Sequence, residues 1–284
     1  LSLTKNQIGD SGALALIKSA NLSHLSTLDL ELNQVGKERL TKFPDGTAIA
    51  SLSRLNLRRN QIGDDTILDW LQTGAFAPIK HLNLGWNKIG DAGILAFAKS
   101  PMLSGLEQLI LDSNYISNEG ANAIAQSKHL ESLMVLELHD NNYNQTTAQA
   151  LMDLRIRILV KKHLSGTNLN LNGKLLENKG LKALARSDLL VGIEALSLRN
   201  NHFDHVGLEA LSQSKYLSSL KSLNVMNNSI TNKGAMILGE SEVFSGLKSL
   251  NLENCGIMPA GILALAKSMT LKHLEEITLN KNNI

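Results

Sequence analysis

The residues whose types could do chemistry are few and set at telling intervals. Asp112 and His139 stand 27 residues apart, and a carboxylate beside an imidazole is the material of an acid–base pair. Cys255, the one cysteine, would be the nucleophilic thiol, and His202 and His205 share one turn as two ligands of a metal would. None of these sets is complete. No nucleophile accompanies Asp112 and His139, which reads better as an interface ion pair than as a dyad. No third ligand joins the two histidines, and His24, His81, His129 and His273 are scattered. The phosphate loop Gly-x-x-x-x-Gly-Lys, the zinc helix His-Glu-x-x-His and the elbow Gly-x-Ser-x-Gly do not occur. The expectation is a chain that is not an enzyme and uses neither cofactor nor metal.

Composition narrows the partners. The 284 residues are 43% apolar but only 4% aromatic, which predicts an aliphatic core. Lys and Arg total 28 against 26 Asp and Glu, a net +2 that carries no footprint of a nucleic-acid binder. No run of about 18 apolar residues offers a membrane span. A single cysteine excludes an internal disulfide and suits a reducing compartment. The sequence opens at Leu1 and closes at Ile284 in mid-pattern, as a stretch cut from a longer protein would, so a missing signal segment says nothing of location.

The elements that must position these residues are set by a repeat. The pattern Leu-x-x-Leu-x-Leu-x-x-Asn-x-Ile reads at Leu52, Leu55, Leu57, Asn60 and Ile62, and again at Ile79, Leu82, Leu84, Asn87 and Ile89. Its asparagine recurs as Asn6, Asn33, Asn60, Asn87, Asn114 and Asn141, every 27 residues. A step of 33 leads to Lys174, and the 27-residue spacing resumes with Asn201, Asn228, Cys255 and Asn282. Leu-x-Leu is period-2 alternation, so the leucines turn to a core and the residues between them face away. The buried asparagine should satisfy backbone groups that the turn leaves unpaired. Cys255 should take that slot as a small structural thiol, whereas an ammonium at Lys174 would need a partner.

The other half of each repeat reads as helix. Glycine recurs six residues past the asparagine, as in Gly12, Gly93, Gly120 and Gly207, after helix-start residues such as Asp10, Asp64, Asp91 and Asn118. Pro259 suits a first helical position. Thirteen residues past the asparagine comes a small residue, as in Ser127, Ser214, Ser241 and Ser268, and three further on Leu or Phe closes the helix. Asn56, Asn83, Asn170, Asn224 and Asn251 share another column, where stacked amides would hydrogen-bond along the ladder. The long step includes Leu154 to His163 and reads as a lengthened helix with solvated charges.

These residues resemble the ribonuclease-inhibitor-like leucine-rich repeats, marked by the stretch Asn-x-Ile-Gly-Asp-x-Gly at Asn6–Gly12 and Asn87–Gly93. The resemblance implies an α/β leucine-rich repeat solenoid, a horseshoe with parallel strands on the concave face and helices on the convex face. It would hold about eleven repeats in a single domain over 1–284, with a longer irregular repeat at 142–174. The monotonous repeat and lone cysteine look most like the leucine-rich effectors of intracellular bacteria such as Legionella. That implies a location in the cytoplasm, or in a host cell's cytosol. The implied function is a scaffold holding a protein partner on the concave face. A GTPase-activating protein on the same fold is the alternative, with Arg58, Arg59 or Arg199 serving a phosphate. The residues expected to meet a partner are Arg58, Arg59, Trp86, Asp112, Tyr115, His139, Asp140 and Arg199, because Trp, Tyr and Arg dominate interface energies. No nucleic acid and no membrane are expected. Both ends lack a polar capping unit, which leaves self-association through them open.

Overall fold

The computed structural model describes residues 1–37 and 49–284. The helical half expected of the second repeat falls among residues 38–48, outside them. The chain divides into two compact units, Leu1–Leu151 and Met152–Ile284.

In the first unit, three-residue strands recur at the predicted interval: β1 (Thr27–Asp29), β2 (Arg54–Asn56), β3 (His81–Asn83), β4 (Gln108–Ile110) and β5 (Val135–Glu137). They form one parallel sheet in sequence order, with Leu28, Leu55, Leu82, Leu109 and Leu136 in register. The alternation holds. Leu55, Leu57, Leu82 and Leu84 are buried, while Arg54 and Asn56 between them are exposed or half-buried. Helices α1 (Asp10–Ile17), α2 (Asp64–Gln72), α3 (Asp91–Lys99) and α4 (Asn118–Ala125) carry the chain back. Each is eight or nine residues long, too short to persist alone in water, so tertiary packing must hold it. The core of this unit departs from the aliphatic expectation at one cluster. Trp70, Phe76 and Phe97 are buried together, with ring centroids 5.7 and 5.3 Å apart.

Helix α5 (Gln145–His163) accounts for the long step and is 19 residues long, as the sequence predicts. A short hairpin after it has no counterpart in the repeat pattern. The pair Leu164–Ser165 (β6) turns back at Gly166 and lies antiparallel to β7 (Asn168–Asn170). Strands β8 (Ala195–Ser197), β9 (Ser222–Asn224), β10 (Ser249–Asn251) and β11 (Glu276–Thr278) then continue in parallel. Among the described residues the strands thus form two sheets, of five and six strands. In this unit α6 (Glu177–Ala185), α7 (His205–Ser212), α8 (Thr231–Glu240) and α9 (Pro259–Ala266) fill the helical half, with Pro259 at the predicted first turn.

Polar side chains join each repeat to the next. Asn87 donates to the carbonyls of Leu57 and Leu84, each at 3.0 Å, and accepts from the Ile62 amide at 3.0 Å. Asn60, Asn114, Asn141 and Asn228 repeat the donor pattern, so the asparagine column satisfies turn backbone as predicted. In that slot the Cys255 thiol donates to the Val225 carbonyl and is fully buried. At Lys174 only the backbone takes part, its amide donating to Asn201 and its carbonyl accepting from Arg155, while the half-buried ammonium lies near His163.

The helix-start residues behave differently from the expectation. Asp64, Asp91 and Asn118 sit inside the first turn of their own helices and cap the next one. The Asp64 carboxylate accepts from the Gly90 amide, and Asp91 accepts from Ser117 and Gly120, at 2.7 to 3.0 Å. This explains the glycine column. A methyl at Gly93 would lie 2.7 Å from Asp64 and one at Gly120 2.5 Å from Asp91. The serine column works backwards, since Ser127, Ser214, Ser241 and Ser268 donate to Ala98, Ala185, Ser212 and Gly239 of the preceding helix. The Asn56 column is structural by another route than stacking. Asn56, Asn83, Asn170, Asn224 and Asn251 each accept from the backbone amide two residues on, an Asx turn that ends the strand. Stacked amides occur three residues further on, where Asn254 donates to Asn227 and Asn227 to Asn200.

Candidate functional site

Two positions of the repeat carry the candidate residues. The first lies two residues past the strand, on the face away from the core, and is filled by Glu31, Arg58, Gly85, Asp112 and His139 in successive repeats. The second precedes the signature asparagine, where the chain leaves the strand. There the backbone is left-handed in every repeat of the first unit: Lys5, Leu32, Arg59, Trp86, Ser113 and Asp140 have φ between 53° and 59°. In the second unit the same position holds Gly173, Asn200, Asn227, Asn254 and Lys281. Glycine and asparagine visit this region readily, whereas arginine and tryptophan do so at a cost of about 1–2 kcal/mol.

In the first position the structure pairs Arg58 with Asp112, two repeats away. The bond is bidentate, Nη1 to Oδ1 at 2.8 Å and Nη2 to Oδ2 at 3.0 Å. Strands that far apart in the sheet are roughly 10 Å from each other, and the residue between them is Gly85. A Cβ there would sit 2.3 Å from Oδ1 of Asp112 and 2.6 Å from Nη1 of Arg58. Glycine is therefore the slot through which the pair closes. Asp112 is buried, its side chain 3% exposed, and Arg58 keeps a quarter of its own. The hydrogen bond to Asp112, with the nearby carboxylates of Asp112, Glu31 and Glu137, holds the Arg58 guanidinium above its ordinary pKa. His139 approaches the same carboxylate, Nε2 to Oδ2 at 3.7 Å, and Asp140 at 4.0 Å. The predicted meeting of Asp112 with His139 is thus present, as the outer part of a pair that Arg58 dominates.

Above this pair lies Trp86, 49% exposed. The Arg59 guanidinium stands over its ring at 5.0 Å and that of Arg58 at 6.0 Å. Arg59 spends no donor on a carboxylate among the described residues. Lys88 and Tyr115 flank the signature asparagines of these repeats, both exposed, Tyr115 by 66%. Seven of the eight predicted contact residues lie in the first unit. Arg199 stands exposed in the second, its amide bonded to Asn172.

The Arg58–Asp112 pair itself was not anticipated. The signal was available as a spacing of two whole repeats with a glycine in the same column between. It bears on the phosphate alternative, because Arg58 would have to leave Asp112 before reaching any phosphate. His202 and His205 gain no third ligand, and among the described residues no group of three metal-binding side chains occurs. Nor is any described helix long and apolar enough to cross a membrane.

Comparison with known proteins bears on the repeat. The Leucine Rich repeat family model matches residues 1–16, 49–65, 77–98, 216–239 and 247–266. The match is to the repeat in general and names no subtype. No curated protein matches the chain. Among solved structures, a TDR receptor is 18% identical with a TM-score of 0.38, over 100% of this chain and 43% of that one. The TLR13–ssRNA13 complex gives 21% and 0.43, over 99% of this chain and 42% of that one. Mouse RP105/MD-1 gives 18% and 0.41, over 92% and 47%. The chain thus spans less than half the length of these structures, and at this similarity they say nothing of what it binds. Repeat matches in both units and a strand-and-helix coil recurring every 27 residues establish that this chain has the leucine-rich repeat fold.

Proposed function

We propose that the chain is a protein-binding scaffold whose contact surface centres on Trp86, Arg59 and Tyr115. Arg58, Asp112, His139 and Asp140 complete it in the first unit, and Arg199 is a separate contact point in the second. The observation that carries this is Trp86. A half-exposed indole sits in a left-handed conformation that costs free energy, at a position where several other repeats use serine, asparagine or glycine. Its stack with Arg59 offsets only ~0.5–1 kcal/mol at such an exposed site. A strained, exposed aromatic beside arginines is the composition of an interface hot spot. Alternating signs across the face, with Asp29 and Glu31, then Arg54, Arg58 and Arg59, then Glu137 and Asp140, favour a shaped protein surface over a uniform polyanion.

The effector resemblance implies a host protein as the partner, so eukaryotic lysate is the first source to try. Affinity capture with the intact chain and with Trp86→Ala combined with Arg59→Ala tests the reading. A protein retained by the first and lost by the second supports it. Equal capture by both would move the contact surface elsewhere.

A further inference from the structure

Resting on that reading, we infer that the site recognises a carboxylate, an Asp or Glu side chain of the partner, held in the fork of Arg59 with its neighbouring apolar group on Trp86. Three observations lead there. First, the cations of this face are not equivalent. Arg58 is neutralised by a buried carboxylate at 2.8 and 3.0 Å, so it contributes shape more than free charge. The Arg59 guanidinium stands over the Trp86 ring at 5.0 Å, and no ion pair among the described residues occupies it. A guanidinium over a ring spends none of its fork of N–H donors on it, and that fork matches a carboxylate.

Second, the local charge is positive here. With Arg58 and Asp112 cancelling, Arg54, Arg59 and Lys88 stay exposed and unpaired with any described carboxylate, between the acidic residues Asp29 and Glu31 on one side and Glu137 and Asp140 on the other. An acidic group is drawn to the middle and repelled from both flanks, which sets its register across the sheet. Third, Trp86 meets Arg59 at 5.0 Å and Arg58 at 6.0 Å and is still half-exposed, so apolar surface adjoins the cation. A phosphate would find the same donors, but three cations spread over two repeats and flanked by acids lack the concentrated charge that a phosphate group needs.

The test uses the whole chain, immobilised, against a mixed library of acetylated hexapeptides that contains Asp, Glu, Asn, Gln and phosphoserine at every position. Peptides retained by the unaltered chain should be enriched in Asp or Glu over Asn and Gln by roughly tenfold, the scale of one charge-assisted hydrogen bond. An apolar residue should adjoin the acid. Arg59→Gln should abolish the preference for acid, and Trp86→Ala the preference for the apolar neighbour. An unchanged circular dichroism spectrum of Arg59→Gln shows that the fold is kept. No acid enrichment, enrichment that survives Arg59→Gln, or phosphoserine retained ahead of Glu would each overturn the inference. Lysate capture lost in the double variant, with no acid preference in the library, would leave the scaffold standing and remove only the carboxylate.

Discussion

Gly85 offers the sharpest test of how the site is built. Replacing Arg58 with Ala leaves the Asp112 carboxylate 3% exposed and without its bidentate partner. Breaking a buried pair from one side costs about 3–5 kcal/mol. Arg58 is itself a quarter exposed, and His139 at 3.7 Å can replace part of the interaction, so about 2–3 kcal/mol is expected. Asp112→Ala removes the buried charge instead and frees a guanidinium that water can reach, costing about 1 kcal/mol. Gly85→Ala should cost about 2 kcal/mol, since its methyl would lie 2.3 Å from the Asp112 oxygen and drive the pair apart. In the Asp112→Ala background most of that cost should vanish, because Arg58 can then swing aside. The assay is urea unfolding followed by tryptophan emission. Both tryptophans of the chain, Trp70 and Trp86, lie in the first unit, so the signal reads that unit alone. With a slope near 2 kcal/mol per molar, Arg58→Ala should lower the midpoint by about 1–1.5 M. Equal losses from Arg58→Ala and Asp112→Ala, or a Gly85→Ala cost unchanged by removal of Asp112, would refute the reasoning.

Other consequences can be measured in the same way. Trp86→Asn should leave the urea midpoint within about 0.5 kcal/mol of the unaltered chain, strain relief offsetting the lost stack, while lysate capture falls. Asn87→Ala should lower stability by about 1–3 kcal/mol, since it strands the Ile62 amide and takes one of two amide donors from each of the Leu57 and Leu84 carbonyls, which keep Asn60 and Asn114. Burial pushes the Cys255 thiol up from 9.0 to about 11. The folded chain therefore holds that proton more tightly than the unfolded one. Its contribution to stability is complete below pH 9 and is lost as pH rises toward 11, a dependence that circular dichroism should detect and Cys255→Asn should remove. Cys255→Asn should also stabilise the second unit by about 1 kcal/mol at pH 7, by replacing a weak thiol donor to the Val225 carbonyl with an amide that can also reach the carbonyl three residues before it, as Asn228 does.

Much of the fold was legible because it rests on periodic burial. Leucines at period two and a 27-residue interval fix strand, face and register together. The asparagine column was readable for the same reason, since a polar residue at a buried position must meet backbone. What could not be read depended on reach. Asp64 and Asp91 look like caps of their own helices, and only the packing of neighbouring helices brings them to Gly90 and Ser117. The hairpin of β6 and β7 has no period, being two paired residues either side of Gly166 and Thr167. At the candidate site, the sequence identified which side chains face away from the core but not which of them are already spent on each other. Trp86 and Arg59 stayed available, while Arg58 did not.

The reach of these contacts also governs how the first unit comes apart. Its asparagine, aspartate and serine links each join a repeat to the one beside it, and a chain bound only by nearest neighbours unzips from its ends one repeat at a time. Arg58 and Asp112 break that rule by clasping the third and fifth repeats over the fourth. The three strands beneath the clasp should open as one block, so their amides should exchange with a shared free energy instead of a graded one. A surface assembled from three separate turns of backbone is thereby kept whole.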